Sequence, residues 1–525
     1  MVWIVIGEEK GKIALVSKSN IKGEGILHQG SYLTIEDNGR KFILRVEDTF
    51  QHNPYSPSPM IVDMDLSPLH EDQKCQNIVY TTRIAEIPER VDGKSSFIKP
   101  QMIARRSNQA EVNMAFENEK GMPVFPATTF ARSSQILCDD NEKYLHVNIP
   151  EDVFFYQMLI TGRTGSGKTV AMKYMAQYFL EGLNLENGPG AVVAINVKEE
   201  DFLTMDKASY SNKSQVLKEW KDLNLIPHKI DTFRIYYPGN LATRYSDDVD
   251  RNLCERITLK TKNIDPETLS GLIQNITDIG AEQLPSIFRY WKERLMNQGD
   301  TLTDFLRYFS DQNINRNYTG LNTRNEELPI IMHYGTYQSI VNALTRATEY
   351  FDIDDAQELN AGDILQHGKL SVIDVVGKSA LGFGSVLMRD LFEKIYEEKS
   401  RKNILVPVLI IIDEVHEFYG NARSREALQT LDSICRKGRS LEIGVIFSSQ
   451  NPVDIPHGIS SVVNTKIYFK SDLVNIKSLG INVGNFDPEA MKAGYGVARI
   501  HGMNQLKFVK YPMSLAGVYD GKKGN

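Results

Sequence analysis

Leu159-Ile160-Thr161-Gly162-Arg163-Thr164-Gly165-Ser166-Gly167-Lys168-Thr169 is the stretch on which the fold turns. An apolar strand, Phe154 to Thr161, leads into Gly162–Thr169, which fits G-x-x-x-x-G-K-[ST], and a helical pattern from Val170 to Leu180 follows. Each part has a physical task. Glycines let the backbone wrap so that successive N–H groups face phosphate oxygens, and the helix N-terminus beyond adds partial positive charge. The candidate nucleotide-binding residues are therefore Gly162, Arg163, Thr164, Gly165, Ser166, Gly167, Lys168 and Thr169. Lys168 is expected to reach the β- and γ-phosphates and the Thr169 hydroxyl to ligate Mg²⁺. An accidental glycine-rich turn would have no reason to sit between a strand and a helix, so ATP and Mg²⁺ are the expected cofactors.

Outward from this loop, apolar strands alternate with amphipathic helices, the pattern of a parallel α/β sheet. Strands are expected at Phe154–Thr161, Ala191–Asn196, Leu370–Val376, Val406–Ile412, Ile443–Ser448 and Thr465–Phe469. The run Val408-Leu409-Ile410-Ile411-Ile412 ends in Asp413-Glu414. Ligands bind at the C-terminal edge of parallel strands. Asp413 is thus expected to hold Mg²⁺ through its water shell, and Glu414 to polarise an attacking water. A strand whose acidic end merely meets solvent would look the same in isolation; beside a phosphate loop, hydrolysis is the better account. His416 and Glu417 fit a helix surface as well as they fit chemistry and stay outside the expected site. Gln450, past Ile443–Ser448, carries an amide that both donates and accepts, as a γ-phosphate sensor must. An ordinary strand-end polar residue would look alike. Arg436 and Arg439 follow a helix and could point into a neighbouring subunit's nucleotide, where an arginine in trans stabilises transition-state charge. A solvated basic turn is as good a reading of either one.

Residues 1–95 read as short alternating strands with a hairpin signal at Asp37-Asn38-Gly39, hence a small β-barrel. Residues 96–150 read as a connecting segment. The core is expected over 151–205 and 367–510. Between 206 and 366 the alternation stops, and Leu269–Ile279, Leu284–Met296 and Tyr337–Tyr350 carry helical periodicity, an inserted helical subdomain. Residues 511–525 read as a C-terminal tail.

Composition sets bounds on this organisation. A chain of 525 residues exceeds one ordinary core, and 41% hydrophobic with 24% charged residues excludes global disorder. A net charge of −7 argues against nucleic-acid binding by the whole surface but is compatible with a locally basic channel. The four cysteines form no CxxC pair, so neither a disulfide framework nor a zinc site is expected, and a reducing cytoplasm is the expected compartment. No apolar run approaches the roughly 20 residues of a membrane helix, and Met1–Gly7 reads as a first strand, not a signal peptide. No membrane association is expected.

Four stretches together resemble the HerA–FtsK superfamily of P-loop translocases, in particular its HerA branch. They are Leu159–Thr169, Ile411–Phe418, Arg436–Val445 and Ser448–Pro456. The resemblance implies an α/β RecA-like P-loop core with an inserted helical bundle, preceded by an N-terminal small β-barrel. It further implies a homo-hexamer that moves double-stranded DNA through its centre beside a separate nuclease or effector protein, NurA-like, sirtuin-like or another defence effector, and a bacterial, antiphage-associated relative. Residue by residue, it assigns Lys168 and Thr169 to nucleotide and Mg²⁺, Asp413 and Glu414 to hydrolysis, Gln450 to sensing, and Arg439, with Arg436 second, to action in trans. One stretch departs from the pattern. Where many members carry an aspartate followed by Gly-Glu, this chain has Asn196-Val197-Lys198-Glu199-Glu200-Asp201, which puts any role for Asn196 or Glu200 in doubt. Competing expectations are an ATP-binding ring scaffold that organises an effector enzyme, and a secretion-ATPase-like or FtsK-like motor acting on another polymer. If DNA is moved, Val376–Gly382 and Gly420–Arg425 are the loops expected to grip its phosphates, being glycine-bearing and carrying isolated positive charge.

Overall fold

The computed structural model describes residues 3–18, 27–52, 76–88, 96–130, 133–198, 201–238, 245–272, 278–375, 380–416, 425–451, 462–472, 488–503 and 505–520. The expected DNA-gripping loops lie outside these residues, except for 380–382 and Arg425.

Six antiparallel strands close a barrel in the order β1-β2-β5-β4-β3-β6, namely β1 (Trp3–Glu9), β2 (Lys12–Lys18), β3 (Tyr32–Asp37), β4 (Arg40–His52), β5 (Gln76–Ile87) and β6 (Ile103–Arg106). Alternation drives it: Trp3 and Val5 are buried with Ile13, Leu15, Leu33 and Leu44, while Ile4 and Ile6 face out. The closing strand β6 pairs with both β1 and β3 and lies beyond residue 95, where the barrel was expected to end. It is too short and too basic (Ile-Ala-Arg-Arg) to announce itself as a strand. Helix α1 (Gln109–Phe116) docks on the barrel through Glu111, whose buried carboxylate accepts hydrogen bonds from Thr34, Lys41 and Arg105.

The second body is a 14-stranded sheet. Its strands in chain order are β7 (Met122–Phe130), β8 (Ser133–Ile136), β9 (Val147–Ile149), β10 (Met158–Thr161), β11 (Ala191–Asn196), β13 (Thr232–Pro238), β14 (Cys254–Thr258), β17 (Gln357–Glu358), β18 (Lys369–Asp374), β19 (Val408–Ile412), β20 (Ile443–Ser449), β21 (Thr465–Tyr468), β22 (Tyr495–Arg499) and β23 (Phe508–Lys510). The small pairs β12 (Tyr210–Ser211) with β24 (Tyr519–Asp520) and β15 (Asn317–Leu321) with β16 (Glu327–Ile331) stand apart. From β17 to β21 the order is β17-β14-β13-β18-β11-β19-β20-β10-β21, all parallel; β22, β23, β7 and β8 then continue it antiparallel.

The central strands are buried on both faces, which is why they read as continuous apolar runs. In β11, Ala191, Val193 and Ile195 pack into one core, with Val192 and Ala194 in the other. The second core is covered by α2 (Lys168–Glu181). The first is covered by helices from the middle of the chain, α3 (Asp278–Tyr290), α4 (Leu302–Phe309) and α5 (Tyr334–Ala347), and by α6 (Ala380–Ser400) and α7 (Arg425–Lys437). This is a RecA-like P-loop core with helices inserted between its strands and a barrel before it.

Two expected segments look different in detail. Residues 206–366 hold the expected helices, and they also supply β13, β14 and β17 to the sheet. Residues 511–520 are not a loose tail: Tyr511, Met513, Leu515 and Ala516 are buried, and Gly517 accepts a hydrogen bond from the buried Lys173 ammonium of α2 at 2.7 Å. Neither feature has a period long enough to read from sequence.

Candidate functional site

The phosphate loop leaves the C-terminal end of β10 and ends at Gly167, the left-handed N-cap of α2. Its glycines are required by geometry. Gly162 has φ 152°, and a Cβ there would lie 2.8 Å from the Cβ of Phe469; Gly167 has φ 98°, and a Cβ would lie 2.6 Å from the backbone nitrogen of Gly494. The Gly494 N–H donates to the Ser166 carbonyl at 2.8 Å, and the Arg163 N–H to the Lys470 carbonyl at 2.8 Å, so the loop is braced by the strands after it. Arg163 itself faces away from the cradle, ion-paired with Asp472 and 3.7 Å from Glu489. Thr164 and Gly165 form the exposed crest.

Inside the loop the Lys168 ammonium donates to the Gly162 carbonyl, and the buried Ser166 hydroxyl has no hydrogen-bond partner among the described residues. Both are donors held where phosphate oxygens would be met, so the residues present fit a nucleotide. Burial pushes the Lys168 pKa below the ordinary lysine value, against the pull of the Glu414 and Asp413 carboxylates. Burial likewise pushes Asp413 up, with the charges of Glu414 and Asp201 adding to it. A site in which both signs are under-solvated is one that a bound cation and polyphosphate would complete.

Asp413 and Glu414 sit in the turn after β19, one strand removed from β10 through β20. Glu414 is in the left-handed region at φ 44°, and its N–H donates to Asp413 Oδ1 at 2.9 Å. The Glu414 carboxylate is enclosed. Gln450 Nε2 donates to Oε1 at 3.1 Å, Lys198 Nζ stands 3.8 Å from the same oxygen, and His416 Nδ1 lies 3.4 Å from Oε2. Across the loop, the Thr169 hydroxyl donates to Asp201 Oδ2 at 3.5 Å.

The two arginines are elsewhere. Arg439 lies in the short turn Gly438–Leu441 before β20, at the opposite end of the strand from Gln450. That is roughly 20 Å away along a seven-residue strand. Its guanidinium lies 4.4 Å over the Tyr156 ring, which in turn stacks on His501 at 3.8 Å. Arg436 is exposed and paired with Asp432 at 2.8 Å. Neither arginine can reach the nucleotide site of its own chain.

No protein-family model matches the chain. It is 32% identical over 84 residues to the DNA double-strand break repair helicase HerA of Pyrococcus furiosus, and 26% identical over 121 residues to that of Sulfurisphaera tokodaii. Over these stretches the chain is similar to HerA. The alignments cover 16% and 22% of this chain and span only 15% and 24% of those relatives. Among solved structures, VirB4 of Thermoanaerobacter pseudethanolicus overlays with a TM-score of 0.45 at 13% identity, covering 75% of this chain and 97% of that one. The bacterial conjugative coupling protein TrwB overlays with a TM-score of 0.43 at 12% identity, covering 80% and 95%. At such overlap these likenesses carry no argument about function.

Three residues beyond the expected site stand at this edge: His416, which was left outside it, and Lys198 and Asp201, which were given no role. Lys198 and Asp201 follow β11, whose C-terminal end opens on the same edge as the phosphate loop. A charged run directly after a fully apolar strand was the available signal, and it reads equally as a solvated turn. Asn196, the residue at the departing position, is turned away: its amide donates to Asp374 Oδ1 at 2.9 Å, while Tyr245 donates to Asp374 Oδ2 at 2.8 Å.

Proposed function

We propose that this HerA-like chain is an ATPase that couples hydrolysis to moving double-stranded DNA through a homo-hexameric ring, in the cytoplasm, with a separate nuclease or effector chain supplying any further chemistry. One observation carries it. Lys168, Thr169, Asp413, Glu414 and Gln450 meet at one edge of the sheet, while Arg439 is presented at the other. Subunits stacked edge to edge around a ring would bring one subunit's Arg439 to the next subunit's phosphates. The DNA in this proposal comes from the description of the relatives as DNA helicases.

Mg²⁺–ATP, when bound, supplies the scissile phosphoanhydride and the cation's charge. Thr169 and Asp413 would hold the metal, directly and through its waters. Lys168 would exchange the Gly162 carbonyl for phosphate oxygens, a switch within reach of one side chain. Glu414 would orient the attacking water and accept its proton on a carboxylate oxygen as the water's oxygen bonds to phosphorus, as a general base does. Gln450 shares Glu414 Oε1, so a γ-phosphate that attracts the Gln450 amide also frees the carboxylate to meet water.

The test is steady-state ATPase with and without duplex DNA, together with subunit mixing. Arg439→Ala and Lys168→Ala proteins, each nearly inactive, should regain turnover when their subunits exchange, because mixed rings contain interfaces with an intact loop and an intact arginine. Rings that form but show no rescue remove Arg439 from trans action, and ATPase indifferent to duplex DNA removes the DNA motor.

A further inference from the structure

The geometry points to Asp201 as a second carboxylate on the magnesium side of the nucleotide site, acting on the metal's water shell beside Thr169 and Asp413; this rests on the nucleotide reading above. The hydroxyl that a P-loop offers to the metal, Thr169 Oγ1, makes its contact in this structure with Asp201 Oδ2 at 3.5 Å. A carboxylate at that distance from an inner ligand lies within hydrogen-bond reach of the waters a magnesium ion keeps, since Mg²⁺ dehydrates reluctantly and takes one or two carboxylates besides phosphates. Asp201 is therefore in contact with the hydroxyl on the metal side of the loop.

Its position is fixed by packing and not by a mobile side chain. The residues after it, Phe202, Leu203 and Met205, are buried in the core under α2. The Met205 carbonyl accepts from Ile230, and Thr204 Oγ1 donates to the Gly517 carbonyl at 3.3 Å. The aspartate thus stands on a turn nailed to the helix that carries Thr169. It also explains how the site tolerates Asn196. A neutral residue ends β11 and is committed to Asp374, and the charge is supplied five residues later on the same edge.

The experiment measures metal binding directly. Mn²⁺ would be titrated into the full chain with ADP present, read by electron paramagnetic resonance, and ADP affinity would be measured separately without metal. Asp201→Asn should raise the Mn²⁺ half-saturation about tenfold or more, the usual consequence of losing a partner of the metal's ligands, and leave metal-free ADP affinity unchanged. Asp201→Glu, which keeps the charge on a longer arm, should regain most of the loss. An unchanged half-saturation in Asp201→Asn overturns the assignment. So does a loss of metal-free ADP binding, which would mean Asp201 only shapes the loop, and so does an Asp201→Glu as weak as the amide. Wild-type protein that binds no ADP at all would instead remove the nucleotide reading, and this assignment with it.

Discussion

Lys168 and Glu414 face the same nucleotide from two turns of the chain, and their separation predicts different failures. Lys168→Ala should lose tight ATP binding, because the ammonium seated inside the loop is gone. Glu414→Gln should still bind and lose about 10²- to 10⁴-fold in turnover, the range of a removed general base. Equilibrium nucleotide binding beside steady-state ATPase separates them, and near-normal turnover in Glu414→Gln would take that residue out of the chemistry. Tyr156 gives a second residue-scale prediction. Its ring carries the Arg439 guanidinium and stacks on His501. Tyr156→Ala should lower turnover in assembled rings while leaving ATP binding intact, and Tyr156→Phe, which keeps the ring, should retain activity. Equal loss in both variants would point to the hydroxyl and away from the stack. At this scale the phosphate loop and the Asp413–Glu414 pair were readable because their residues are consecutive. Asp201 and Lys198 were not, since their role depends on β11 lying beside β19 in space.

The strands show why some elements were legible and others not. β11, β19 and β20 are apolar throughout because both their faces are buried, and each was expected within about two residues of its observed bounds. β13 and β14 interrupt their apolar residues with Arg and Glu, and β17 is only Gln357-Glu358, so these strands toward the edge of the same sheet carry no continuous apolar run. The stretch Phe154–Tyr156 looked like the start of β10 and is instead a tight helical turn, with Phe154 and Phe155 buried against α2. β20 yields an element-scale prediction through Gly444. A Cβ there would lie 2.5 Å from the Phe154 carbonyl oxygen and 3.2 Å from Leu409 Cδ1. Gly444→Ala must push that turn off the strand and should destabilise the chain by about 1–3 kcal/mol, measured by chemical denaturation. A shift near zero would mean the turn yields freely.

For the molecule as a whole, the cost of buried charge sets a pH response. Lys173 is buried in α2, and burial pushes its pKa down to about 8; burial does the same to Lys399, also to about 8. Below pH 8 both folded and unfolded chains carry these protons, so the cost of the buried charges is present in full. Between about pH 8 and the ordinary lysine value the folded chain releases them first, so stability should rise with pH, by at most about 1.4 kcal/mol per pH unit for each lysine. Past about pH 10 the trend should reverse, because burial holds the Tyr174 and Tyr511 phenols protonated in the folded chain above the usual tyrosine value. Lys173→Met should flatten part of the rise between pH 8 and 10 in denaturant midpoints, with Lys399 and the other burial-lowered lysines, Lys168 among them, supplying the rest; an unaltered slope would show that Lys173 is not a source of it. The change of period marks where barrel strands give way to the α/β sheet, while the barrel's closing strand and the buried final segment carry no such mark, because each is defined by partners distant in sequence.

The brace of the phosphate loop has a consequence for how the protein is made. The six barrel strands pair with one another and all lie before residue 107, so their ladders can form while the rest of the chain is still being synthesised. The phosphate loop cannot settle so early. β10 lies between β20 and β21, Gly494 closes on Ser166, and β23 seats beside β7, all from the far side of the chain. At about 5–20 residues per second the nascent loop waits on the order of tens of seconds for its neighbours. During that interval the strand Met158–Thr161 has no ladder on either side, and its apolar edge is open to other chains. The nucleotide cradle is thus among the last parts to mature, and an unfinished or truncated chain displays a folded barrel without the means to grip ATP.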